Sequence, residues 1–237
     1  ASLKFSNEVL MRSESECESE ADQMDPLISS SRRNGWLKIL SVYLGLGLLL
    51  MCTYVWGVLD LYSRYAGNSK NPSQTGANNL WGSIYDNKPL LSIYYGGFVV
   101  ATVGYFMNFA HILQVADRYM SSDLYNNICL SFAVFFITEL FWMPGCVAYI
   151  GDPTDSMWWA LFIQLKISGV AAIAWAWYNV KNATSAGTEK NNPEAKGCPW
   201  VGAVGAIMFA MHCAVLDGCV WSFYFGTDGR FPPMKKP

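Results

Sequence analysis

Two charged residues stand where an apolar chain should carry none. Glu139 lies near the middle of the apolar run Leu124–Ile150, and Lys166 near the middle of Met157–Val180. A charge at bilayer depth costs at least ~2.5 kcal/mol on the insertion scale, so such residues are kept for a reason. Three chemistries suit this pair: a structural ion pair joining two helices, a proton or ion pathway, or a ligand or enzyme pocket.

The runs holding the two charges are joined by the polar turn Gly151-Asp152-Pro153-Thr154-Asp155-Ser156 and read as a helical hairpin. At 1.5 Å rise per residue, Glu139 is about 16 Å and Lys166 about 14 Å from that turn. Antiparallel neighbours would put the two at similar depth, within reach of a direct or water-bridged pair, and the sequence favours the structural ion pair. His212 belongs to the same midplane layer, Gln164 extends it, and Asp217 lies nearer a helix end.

The two histidines, His111 and His212, are candidate single axial ligands for a tetrapyrrole, a haem or chlorophyll being possible without being required. A shared bis-histidine haem is excluded by depth, His111 being ~5 Å and His212 ~18 Å from the same membrane face. Gly104-x-x-Met107-x-x-x-His111 and Gly205-x-x-Met208-x-x-x-His212 share a spacing without matching flanks. The chain contains no P-loop, GxSxG, HExxH or Rossmann fingerprint, so no residue is assigned a catalytic role. None of its seven Cys has a zinc spacing, and no residue is assigned to a metal.

These side chains need elements to hold them, and composition says which. Of 237 residues 52% are hydrophobic and only 14% charged, against about 25% charged in an average soluble chain. Apolar runs at Ile39–Leu59, Pro89–Ala116, Leu124–Ile150, Met157–Val180 and Cys198–Gly226 each exceed or approach the ~20 residues that cross the hydrocarbon. The expected fold is an all-α, multi-pass bundle of five transmembrane helices, at about 36–60, 89–116, 124–150, 157–180 and 199–226. It is flanked by an acidic, disordered tail over 1–35 and a short C-terminal tail over 227–237. Tyr62–Lys88, rich in Asn, Gly and Ser, reads first as a flexible connection, with Trp81, Ile84 and Tyr85 enough for a short membrane-surface helix or a partner contact. Lys and Arg divide seven to six between the two sides, which leaves orientation open.

Helix faces point to close packing. Gly202, Ala206, Ala210, Ala214 and Gly218 recur every fourth residue, and Gly97, Ala101, Gly104, Asn108 and His111 form a second such face. Ser13–Asp25 holds six acidic residues and no basic one, and cannot bury a core of its own. The basic residues form no stripe, so nucleic acid is not expected as a partner.

Together these features lead the sequence to suggest a non-catalytic accessory subunit of a large membrane complex. Its partners would be other membrane-protein subunits and the lipid bilayer. An energy-converting organelle membrane, thylakoid or inner mitochondrial, is the expected setting, with pigment or lipid contacts. A small proton-coupled transporter or channel using Glu139, Lys166 and His212 is one alternative. An integral-membrane lipid or sterol enzyme is the other, with Glu139 and His212 exchanging protons, and it requires a cavity at their level.

Overall fold

The computed structural model describes residues 37–66, 75–115, 122–186 and 199–225. The acidic tail, residues 227–237, Cys17 and Cys198 lie outside them. Residues 1–38 form a unit of their own, and the account below concerns residues 39–237.

Every regular element among the described residues is helical. Helix α1 opens with a π-helical turn, Leu40–Gly45, and continues as Leu46–Tyr65. Helix α2 is Lys88–Val115, capped by Asn87, whose side-chain oxygen accepts the Leu90 N–H at 3.2 Å. Helices α3 (Ser122–Glu139) and α4 (Trp142–Gly151) together make one crossing. Helix α5, Asp155–Ala186, starts after the short turn, where the Thr154 hydroxyl accepts the Met157 N–H at 3.3 Å. Helix α6, Pro199–Ala210, continues as the π-helical segment Met211–Trp221 and a last turn, Ser222–Tyr224. Among the described residues five helices are long and apolar enough to cross a membrane, so the chain is an all-α, multi-pass bundle that associates with a lipid bilayer. Leucine, isoleucine and valine side chains such as Leu48, Leu59, Val99, Leu130 and Val170 are exposed on its outside, as a lipid solvent demands.

The small-residue faces are used inside the chain. Helix α6 runs antiparallel to α2, with Gly104 and Gly205 at the crossing. A Cβ on either would meet the other's carbonyl oxygen at 2.5 Å, so neither position accepts a larger residue without parting the helices. The shared Gly-Met-His spacing has a meaning here: Met107 Cβ packs on Gly205 and Met208 Cβ on Gly104, reciprocally. Along the same seam His111 lies on Gly202 and His212 on Gly97. The opposite face of α6, through Ala206 and Ala210, packs into the core of α5 and α3 with Ala172, Trp175 and Phe132.

A buried polar network ties four helices. The Tyr43 hydroxyl donates to Asn108 Oδ1 at 2.9 Å and accepts from Trp175 Nε1 at 3.0 Å. Asn108 Nδ2 donates to Asn179 Oδ1 at 2.7 Å and to the Gly202 carbonyl at 2.9 Å, while Asn179 Nδ2 donates to the Trp175 carbonyl. Each buried donor therefore has an acceptor, the condition under which such a network rigidifies a core.

Two expectations need correction. Leu124–Ile150 is not one continuous helix: the ladder breaks at Leu140 and Phe141, where the Phe141 N–H bonds back only three residues, to the Thr138 carbonyl. Pro144 is the cause. It lacks an N–H for the Leu140 carbonyl, and its ring crowds that carbonyl. The Tyr62–Lys88 connection is also more than a flexible strand. Gly76–Ile84 forms a 3-10 segment that buries Leu80 and Ile84 and receives the Trp221 indole N–H on the Leu80 carbonyl at 2.8 Å.

Candidate functional site: an intramembrane cavity

The break in the third crossing positions Glu139. As the last residue of α3 it turns its carboxyl inward, where it is 7% exposed and interacts with the Ser168 and Tyr54 hydroxyls. Glu139 lines a cavity on one side of the break, and Trp142 and Met143 line it on the other. Its two lobes have volumes of about 370 Å³ and 270 Å³, together in the range of small-molecule sites. Tyr54, Phe98, Glu139 and Asp217 belong to the walls of both.

The larger lobe lies between α1, α2, α3 and α6. Helices α1 and α2 meet through Tyr43, whose carbonyl accepts the Tyr105 hydroxyl at 2.7 Å. Beyond that point α1 diverges, and Leu46–Tyr65 scarcely touches α2. Leu48, Met51 and Phe106 line the lobe and are also exposed on the outside, so it opens sideways toward lipid. The 3-10 segment contributes Ala77, Leu80 and Trp81 to the wall of the smaller lobe.

His212 and Asp217 enter the wall from one helix. In an α-helix, residues five apart point about 140° away from each other. The π-helical ladder pairs i with i+5, and here it brings His212 Nε2 to 3.5 Å from Asp217 Oδ2. The imidazole is 5% exposed, packs against the Phe98 ring at 4.5 Å between centroids, and makes no hydrogen bond at either nitrogen among the described residues. The Trp142 indole N–H, on the smaller lobe, is likewise buried without a partner among them. A ligand would satisfy groups that the described residues leave unsatisfied.

The remaining polar residues point elsewhere. Lys166 forms no ion pair with Glu139. Its ammonium donates to the Gly218 carbonyl and lies over the Phe162 ring, 4.7 Å from its centroid. The reason is rotational. Ser168 faces Glu139, and Lys166, two residues earlier, is about 200° around the helix from it. Gln164 Nε2 donates to the Thr138 carbonyl at 2.7 Å, bracing the helix break rather than joining the cavity. His111 sits at the other end of the α2–α6 seam, its Nε2 buried without a hydrogen-bond partner among the described residues. His111 and His212 are thus separate, consistent with their different depths. Tyr54 and Trp142 were not singled out by sequence, since aromatic residues in apolar runs carry no signal of their own.

The fold and site together define an integral, multi-pass membrane protein with an internal cavity carrying two carboxyls and an imidazole. Compared with family models, with curated proteins and with solved structures, the chain matches none.

Proposed function

We propose that the protein is an integral-membrane enzyme that moves protons on a lipid-soluble substrate. The observation carrying this reading is the cavity at the level of Glu139, His212 and Asp217, with a lateral opening to lipid. A substrate already dissolved in the bilayer would pass between α1 and α2 and lie with its apolar body against Leu48, Met51 and Phe106.

Glu139 acts as the general acid and the His212–Asp217 pair as the base, in the division of labour that general acid–base catalysis requires. A proton given by Glu139 to one substrate atom is balanced by one taken from another atom by His212, its imidazolium held by Asp217. The substrate is isomerised without change of composition, and between turnovers His212 releases its proton to water and Glu139 takes one up from water. The close-packing faces that the accessory-subunit reading offered to partners are occupied within the chain.

The test does not need the substrate's identity. Purified protein in phosphatidylcholine nanodiscs is incubated with a total membrane-lipid extract in D2O, and the lipids are read by mass spectrometry. Proton exchange at carbon deposits deuterium in one lipid species, and Glu139→Gln abolishes the label. Absence of any enzyme-dependent deuterium in the lipids defeats the proposal.

A further inference from the structure

The smaller lobe has a composition that a neutral lipid does not explain. Tyr54, Trp81, Trp142 and Trp221 contribute aromatic rings to its wall, and Glu139 and Asp217 contribute carboxyls. Among the described residues none that lines it is Lys, Arg or His. Lys166 is engaged by the Gly218 carbonyl, and Arg64 by Asp60 at 2.9 Å. The rings are fixed in place. Trp221 is held by its bond to Leu80 and stacks on Phe225 at 4.0 Å between centroids, Trp142 packs on Trp221 and on Tyr54 at 5.4 Å each, and Trp81 meets Tyr94 edge-on at 5.6 Å.

Ring faces attract a cation through their quadrupole, most strongly when it is desolvated, and caged quaternary ammonium groups are the familiar use of that attraction. The Asp217 carboxylate in the same wall adds direct charge attraction in a medium of low dielectric, and Glu139, protonated as the general acid, offers its carbonyl oxygen. We infer that the smaller lobe is an aromatic cage for an ammonium group, and that the molecule bound is an amphiphile with a cationic amine head and an apolar tail. The head occupies the cage and the tail lies in the larger lobe toward the lateral opening. The shared wall at Tyr54, Phe98, Glu139 and Asp217 is where the two parts of the ligand join. This inference rests on the enzyme reading for the ligand's access and orientation, and adds its chemical class.

The probe is tritiated benzyltrimethylammonium, with neopentylbenzene, its uncharged carbon isostere, as competitor. Both are applied to the protein in phosphatidylcholine nanodiscs and corrected for partition into protein-free discs. The cage predicts saturable one-to-one binding of the cation, with the isostere at least about tenfold weaker. Trp81→Leu and Asp217→Asn weaken cation binding by about tenfold, whereas Trp81→Phe, which keeps a ring face, retains most of it. Thermal unfolding checks that each variant is folded. Lack of saturable binding, or equal competition by neopentylbenzene, overturns the cage. A protein that deposits deuterium in lipid yet treats both probes alike keeps the enzyme and loses the cage. One that binds the cation selectively without depositing deuterium keeps the cage and loses the enzyme.

Discussion

His212 and Asp217 are five residues apart, and their side chains meet at 3.5 Å because the backbone between them is π-helical. The pairing makes the backbone irregularity part of the site. An α-helix over the same residues would turn one of the two away from the cavity. Asp217→Asn keeps the shape and removes the charge that holds an imidazolium. The expected result is a loss of lipid deuteration on the order of 10²-fold, the lower range for general acid–base groups.

The Asn108 network makes a prediction about stability alone. Asn108→Leu leaves the Tyr43 hydroxyl, the Asn179 amide and the Gly202 carbonyl each short of a bond in a buried place. The expected cost is about 1–3 kcal/mol, the usual penalty for orphaning buried polar groups. Unfolding in detergent, followed by tryptophan fluorescence, measures it. Asn108 lines neither lobe, so lipid deuteration per folded molecule stays unchanged.

How far the sequence reached varies by feature. The five spans follow from hydropathy, which depends on composition over long windows and survives local irregularity. The small face Gly97, Gly104 and His111 was legible because small residues in apolar helices mark close approach. The partner of Lys166 was not. Rise per residue gives height along a helix but says nothing of direction around it, and the break before Pro144 resets the direction of everything after Glu139. Pro144 itself was visible and is the signal that could have found the break. The π-helical segment carries no sequence marker, so a helical wheel drawn at 100° per residue separates His212 from Asp217. Tyr43 and Asn179 went unremarked because each looks ordinary until the other helices are in place.

Glycine positions separate close approach from open surface. At Gly104 a Cβ would meet the Gly205 carbonyl oxygen at 2.5 Å, a backbone atom that cannot swing aside, whereas at Gly96 nothing lies within 4 Å. Gly104→Ala is expected to lower the yield of folded protein severely or to cost about 1–3 kcal/mol, as overpacking does. Gly96→Ala is expected to stabilise α2 by roughly 0.5–1 kcal/mol, from the lower backbone entropy cost of Ala in a helix. Size-exclusion profiles and thermal midpoints of the two variants side by side decide the matter.

Lys166 and Glu139 should behave as strangers. Lys166→Met removes a bond to the Gly218 carbonyl, and Glu139→Gln alters the cavity, with no shared ion pair to couple them. In a double-mutant cycle on thermal stability the two changes are expected to add within about 0.3–0.5 kcal/mol. A coupling well above that would restore the direct pair that similar depth alone suggests.

Pro144 offers the clearest conflict between stability and function. Replacing it with Leu supplies an N–H for the Leu140 carbonyl and removes the ring that crowds it. A proline inside a helix costs about 3 kcal/mol relative to a good helix former, so Pro144→Leu is expected to raise stability by a part of that. The same change lets α3 and α4 join into one straight helix, and Glu139, at the end of α3, then turns away from Tyr54 and Ser168. Gln164 loses its geometry on the Thr138 carbonyl as well. The expected variant is therefore more stable, folded and membrane-inserted, yet reduced by at least about tenfold in lipid deuteration, in keeping with the stability often given up at working sites. A variant that gains stability and keeps full deuteration would mean that the break has no part in aiming Glu139.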